Sequence, residues 1–328
     1  MTNFKEYFRS HLKSGARVAL SILLVILALT FILAFSGQHD YTGNLQCKID
    51  IPVIFLCILI YVLPVKEFAF FKKRTNLDCA YALPISRRTI GIVHYLCGLI
   101  ELCVLFSASY LLNLIMLLAR GGGELFNLGF MLEHYLICLA VGTAMYSLMV
   151  FVFNEGNTKG DGIWFMILYS FVFILIAGAL QTITEKITTN ISSFIPPGFI
   201  ANITNYYRYL IEGKSIPDYN APNYENLWLF FIIWIAFGIA ACADLFRTFG
   251  KRRMEKTEEI SDSLYGYRVL IPIFAVTGNI VFRVVDIIVF WVIIELFAIL
   301  GYTIYRRGFH YKKSDIAVLL LLIIFLFI

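Results

Sequence analysis

The sequence predicts an all-α, polytopic membrane protein, and three observations carry that prediction. Hydrophobic residues make up 60% of the 328-residue chain and charged residues only 15%, where soluble domains carry about 25% charged residues. Mean hydropathy is +0.79. The apolar residues are also gathered into eight long runs and a ninth, terminal one. Most approach the roughly 20 residues a spanning helix needs, because inside hydrocarbon every backbone N–H and C=O must be bonded within its own segment.

Residues 1–15 read as an amphipathic interfacial helix, with Phe4, Tyr7, Phe8, His11 and Leu12 on one side and Lys5, Arg9 and Lys13 on the other. The first span is expected over 16–36; its Ala34-Phe35-Ser36 end resembles a signal-peptidase site, but the apolar run exceeds that of a signal peptide. The next spans are expected over 50–71, 90–118 and 130–153, with Pro52 and Pro64 bending the second. After a polar turn at 154–162 comes a fifth span, 163–181, then a long polar loop, 182–226, whose apolar and aromatic residues suit short helices dipping into the membrane. The sixth span covers 227–246, completing a permease-like core at 16–246. A charged linker at 247–268 leads to additional membrane helices within 269–328, with a short seventh span at 269–282 and an eighth at 286–305. The terminal run, 316–328, holds 13 residues and is too short to cross untilted.

Charge placement gives an orientation. With the N-terminus inside, 21 of the 27 Lys and Arg residues fall on the cytoplasmic side, as the positive-inside rule requires. The loop 71–89 then faces the cytoplasm and 182–226 lies outside. The net charge of +5 is explained by these loops and calls for no nucleic-acid partner. The seven cysteines show no C-x-x-C spacing and read as small core residues, with Cys47 outside and Cys79 inside.

The loop at 71–89, FKKRTNLDCAYALPISRRT, is the most informative stretch. Thr75 is a candidate N-cap, Asp78 favours the positive end of a helix dipole, and Pro84 stops the helix by pushing Leu83 toward extended geometry, which leaves two turns over 76–83. Ser86 is a candidate cap for the next helix. Leu77, Ala80 and Tyr81 share one face, so the loop reads as a docking element; the other reading is that its charges merely obey the positive-inside rule.

From these residues a resemblance follows. KKRTNLDCAYALPISRRTIGIVHYL resembles the cytoplasmic loop and following helix of permease subunits of type-2 ATP-binding-cassette (ABC) exporters of the Gram-positive bacterial type, in which a pattern like "LD…LPISR" recurs between the second and third spans. The likeness extends over about residues 1–246, through the surface helix, six spans and long outer loop. It implies a six-helix type-2 ABC exporter transmembrane domain, here with two to three extra C-terminal hydrophobic helices. It implies a coupling helix that seats in a separate ATPase, carried by Leu77, Asp78, Tyr81, Leu83, Pro84, Ile85, Ser86 and Arg87. The implied partners are an ABC ATPase subunit dimer, a second permease subunit, identical or paralogous, and the lipid bilayer of the bacterial cytoplasmic membrane. ATP and Mg would sit on the ATPase, with no cofactor bound by this chain. The helices after 247 depart from the simplest pattern and are closer to permeases of acetoin-utilisation or cell-wall-antibiotic-response operons, and the ending LLLLIIFLFI resembles a longer permease cut short.

Other features are weaker signals. Residues 156–162, GNTKGDG, lack the phosphate-loop pattern G-x-x-x-x-G-K-[ST] and follow a span rather than a strand, so a plain turn or a second ATPase contact is expected. Ionisable residues inside spans are costly, which singles out His94 and Glu101 on one face of the third span, Arg283 with Asp286, and Glu295 in the eighth. Their expected role is hydrogen bonding between helices; a proton or ion relay is the sharper alternative. No catalytic motif and no local metal-ligand spacing is present, so no catalytic or metal residue is expected and the chain reads as a transport subunit rather than an enzyme. An ion-coupled transporter and a membrane sensor without an ATPase are the competing classes.

Overall fold

The computed structural model describes residues 2–35, 48–82, 84–120, 122–184, 191–213, 226–249, 257–259, 261, 263, 265–282, 288–306 and 308–327. Among these every regular element is helical: α1 (Thr2–Phe35), α2 (Asp50–Phe68), α3 (Arg74–Tyr81), α4 (Arg87–Ala119), α5 (Leu128–Glu155), α6 (Lys159–Thr184), α7 (Pro196–Ile211), α8 (Leu227–Phe249), α9 (Tyr267–Phe282), α10 (Ile288–Arg306) and α11 (Lys313–Phe327), with short 3-10 turns between some of them.

Six stretches of the described residues are long and apolar enough to cross a membrane: Phe4–Phe35, Asp50–Lys72, Arg87–Ala119, Leu128–Glu155, Lys159–Ala179 and Leu227–Phe249. They overlap the first six apolar runs of the sequence, the first of them continuous with residues expected to form a separate surface helix, and the chain is a multi-pass membrane protein. Many outer faces are apolar; Leu24 on α1, Ile54 on α2, Leu111 on α4 and Ile232 on α8 are exposed, a pattern that lipid satisfies and water does not. The 16 residues of α9 rise only about 24 Å, short of a hydrocarbon core of about 30 Å.

The chain divides into two compact units. The first comprises Met1–Phe151 and Pro196–Met254. In it α4 packs on α1, α2 and α8, and α2 packs on α7. Long apolar side chains fill the interior, among them Leu56, Ile60, Leu63, Phe68, Ile90, Phe106, Tyr146 and Phe199. Polar pairs join the helices: Thr30 Oγ1 and Ser109 Oγ lie 2.9 Å apart, Tyr95 Oη and Ser147 Oγ 2.7 Å, and Ser107 Oγ and Tyr135 Oη 2.7 Å. Such bonds between spans contribute about 0.6 kcal/mol each. Gly238 lets α8 approach α5 closely, since a Cβ there would stand 2.5 Å from both Cα and Cβ of Ala144.

The second unit comprises Val152–Ile195 and Glu255–Ile328. Here α6, the expected fifth span, packs on α9, which in turn packs on α10 and α11. Tyr267 joins them: its hydroxyl donates to Asp161 Oδ1 at 2.8 Å, and its ring meets Phe165 edge-on at 4.9 Å. Where α10 gives way to α11, Arg306 grips Asp315 in bidentate fashion, with Nε to Oδ2 at 2.8 Å and a terminal guanidinium nitrogen to Oδ1 at 3.0 Å.

The turn at 156–162 is held by its own contacts. Thr158 Oγ1 accepts from Asp161 N–H at 3.0 Å at the start of α6, the Ser261 hydroxyl donates to the Glu155 carbonyl at 2.6 Å, and a Cβ on Gly156 would stand 2.4 Å from Gly162 N. The described residues of the turn pack against one another and against Ser261 of the linker.

Candidate functional site

The polar centre of the first unit lies where α1, α2 and α4 meet. His11 on α1, Lys66 and Glu67 near the end of α2, and His94 and Glu101 on α4 converge there. His11 Nε2 is 2.9 Å from Glu67 Oε2, and His94 Nδ1 is 3.3 Å from the same oxygen. Lys66 Nζ lies 2.5 Å from Glu101 Oε2 and 3.4 Å from Glu67 Oε1. Tyr7, one turn before His11, places its hydroxyl 3.3 Å from His94 Nε2. The two imidazole rings lie 4.0 Å apart.

Local sequence explains the convergence. Tyr7 and His11 are four apart and share a face of α1. Lys66 and Glu67 follow Pro64 within α2; the Lys66 ammonium meets α4 at Glu101, and the Glu67 carboxylate meets both α1 at His11 and α4 at His94. His94 and Glu101 lie seven apart on one face of α4; Lys66 and Glu67 bridge them, and Glu67, His94 and Glu101 are all buried. Gly98, between them on α4, is required by close approach: a Cβ there would stand 2.1 Å from the Tyr146 hydroxyl and 3.1 Å from Glu67 Cγ. An aromatic wall closes the cluster. Phe71 meets the His94 ring edge-on at 4.8 Å and Phe249 at 5.4 Å, with Phe68 behind.

The loop anticipated as a docking element leaves this centre directly. A 3-10 turn, Ala69–Lys72, extends α2 and packs against α3. The helix begins two residues earlier than the sequence indicated: Lys73, in extended conformation, occupies the N-cap position without a side-chain cap bond, and Thr75 lies inside the first turn. The 3-10 turn fixes where the helix starts, so the hydroxyl at 75 has no capping role. Ser86 does cap α4, its Oγ accepting from Thr89 N–H at 3.1 Å.

The expected coupling residues differ in placement. Leu77 is buried, 4% exposed, and so anchors α3 to the first unit. Asp78, Pro84, Ser86 and Arg87 are exposed, together with Arg74, Thr75 and Arg88, and Ile85 is half-buried. Tyr81 ends α3, while its side chain, like Leu83, lies outside the described residues. Arg283 and Asp286 also lie outside them. Glu295 sits on α10 in the second unit, with its Oε1 buried and without a hydrogen-bond partner.

A second buried polar knot occupies the first unit at α5. His134 Nδ1 is 3.0 Å from Tyr110 Oη, and its Nε2 is 3.3 Å from Thr204 Oγ1 on α7. Asn202 and Thr204 of α7 are both buried.

No protein-family model matches the chain, and comparison with curated proteins finds no match.

Proposed function

We propose that the chain is the permease subunit of an ABC transporter, in which a separate ATPase docks on α3 and the start of α4 and drives substrate export across the cytoplasmic membrane. The observation that carries this reading is α3 itself: a two-turn helix, set between two spanning segments, anchored inward by Leu77 and presenting Arg74, Thr75 and Asp78 outward beside exposed Ser86, Arg87 and Arg88. An anchored helix with a charged outer face can receive a push and pass it to the spans beneath. The charge distribution, with 21 of 27 basic residues on one side, supports a cytoplasmic position for this surface. A second permease subunit would complete the pathway.

One observation favours a second reading. The five ionisable groups between α1, α2 and α4 are what an ion-coupled transporter without an ATPase would need.

Co-expression of the chain with the ATPase from its neighbouring reading frame, followed by a detergent pull-down, separates the two. The wild type is expected to retain the ATPase, and the exposed double substitution Asp78→Arg with Arg88→Glu to release it while thermal unfolding of the permease is unchanged. A folded wild type that retains no ATPase would overturn the proposal and leave the ion-coupled reading ahead.

A further inference from the structure

Three helices each turn one ligating atom toward a common point: His11 Nε2 from α1, Glu67 Oε2 from α2 and His94 Nδ1 from α4 all lie within 4.8 Å of one another. We propose that these three residues bind one divalent first-row transition ion of the zinc class, fastening α1 to the α2–α4 pair directly beneath α3.

The donor set fits that chemistry. Two imidazoles and one carboxylate bind zinc with a fourth position left for water, and imidazole ligands select zinc and its neighbours over magnesium or calcium. The spacing also fits: ligand bonds of about 2.0–2.2 Å in a four-coordinate centre separate adjacent donors by about 3.4 Å. The His94–Glu67 separation is 3.3 Å already, the His11–Glu67 separation of 2.9 Å needs to open by a few tenths of an ångström, and the His11 and His94 donors, within 4.8 Å of each other, have to draw together as the half-buried His11 side chain turns inward.

The surroundings add an independent observation. His94 Nδ1 is fully buried and has no hydrogen-bond partner, although a carboxylate oxygen faces it. In the tautomer whose Nε2–H donates to the Tyr7 hydroxyl, Nδ1 turns a lone pair toward the Glu67 carboxylate and a cation between them satisfies both; in the other tautomer Nδ1–H faces Glu67 directly. A hydrogen bond on the far nitrogen is also how metal-bound imidazoles are held in orientation. Lys66 engages Glu67 Oε1 and leaves Oε2 to the histidines. One ammonium and two carboxylates give this centre a net charge of −1, so a dication meets attraction rather than repulsion. Phe71 and Phe68 shield the site from water. Two of the three ligands are buried and His11 is half-buried, which leaves an approach along α1.

The test is independent of any ATPase. The full chain, purified in detergent, stripped with chelator and dialysed, is titrated with zinc chloride by calorimetry, and with Co(II) for its ligand-field absorption. Wild type and His310→Ala, a substitution at an exposed histidine of the second unit that is none of the three ligands, are expected to bind one zinc per chain and to show the intense visible bands of low-coordinate Co(II). His11→Ala, at the least buried ligand, and Glu67→Gln are each expected to lose the bands and weaken zinc binding by at least tenfold. Tyr7→Phe, which leaves all ligands in place, is expected to weaken it by about 10- to 100-fold, the range for partners that orient a ligand. Each variant is checked for folding by size-exclusion and thermal unfolding. Folded wild type that binds no zinc, or binds it no better than folded His11→Ala, would overturn the assignment and leave the cluster a hydrogen-bonded His–Glu–His group.

Discussion

Replacing Lys66 with methionine keeps most of the side chain's stem and removes its ammonium. In the wild type that ammonium lies 2.5 Å from Glu101 and 3.4 Å from Glu67, and the two carboxylate side chains are only 9% and 5% exposed. At 2.5 Å and an effective dielectric of about 20, one such attraction amounts to about 6–7 kcal/mol before desolvation. Desolvation offsets several kcal/mol of it, and removing one partner of a buried pair costs about 3–5 kcal/mol net. Since Lys66 itself is 18% exposed, the lower end, about 3 kcal/mol, is expected. At about 2–4 °C per kcal/mol, Lys66→Met should lower the thermal midpoint by about 6–12 °C. The assay is tryptophan fluorescence of the purified chain on heating in detergent, and the informative comparison is the double variant Lys66→Met with Glu101→Gln. Removing the orphaned charge should recover most of the loss, because a neutral pair of similar size is often as stable as the ion pair it replaces. A Lys66→Met midpoint within about 1 °C of wild type would refute the reasoning, by showing that water reaches the pair and screens it.

Gly238→Ala should destabilise the first unit by about 1–3 kcal/mol, because the new Cβ meets backbone of α5 at Ala144, which cannot swing aside as a side chain would; Gly123→Ala, with no neighbour within 4 Å, is the control, and equal thermal midpoints would show that the helices do not touch there. In the second unit the Asp315 carboxyl, outside the six candidate spans, is pushed up by burial but held below its ordinary value overall by the Arg306 hydrogen bonds and the Lys312 N–H. A depressed folded-state pKa contributes stability that is present above the unfolded value of about 3.9 and lost as pH falls through the folded value. Hydrogen exchange at the start of α11, corrected for intrinsic rates, should therefore accelerate below about pH 4 in wild type, whereas Asp315→Asn should show fast exchange at neutral pH and little further change.

The first six spans were legible in the sequence because a membrane segment advertises itself by an unbroken apolar run, and the α4 cap was legible because Ser86 stands two residues after the helix-stopping Pro84. The register of α3 was not. Its start is set by the 3-10 turn at Ala69–Lys72, a tertiary choice that overrode the cap chemistry offered by Thr75. The helix's apolar face was visible, but not its direction, and Leu77 points into its own unit. The His11–Glu67–His94 cluster escaped spacing rules altogether because its members stand 56 and 27 residues apart on three helices. His94 and Glu101 were singled out as costly polar residues, yet the residue that joins them, Glu67, stood beside Lys66 at the end of a span, where a charged pair reads as an interfacial anchor. A carboxylate ending a run that, apart from the adjacent Lys66, is apolar back to Pro52 was the signal available.

The exposed helix and the buried cluster are also two ends of one short lever. Glu67 is the penultimate residue of α2, the 3-10 turn follows Phe68 without a break, and α3 begins at Arg74. Within that turn Phe71 is 5% exposed and is wedged between the His94 ring at 4.8 Å and the Phe249 ring at 5.4 Å. A close-packed ring cannot absorb a shift of its own backbone by sliding into empty space. Any displacement of α3 large enough to move Phe71 must therefore move His94, α8 through Phe249, or both, and His94 is hydrogen-bonded to α1 through Tyr7. Forces applied at the loop reach three helices at once through a single aromatic contact. A binding event at the cluster, by the same geometry, stiffens the seat on which α3 rests, and two sites that bias one element in this way are coupled reciprocally in their binding free energies.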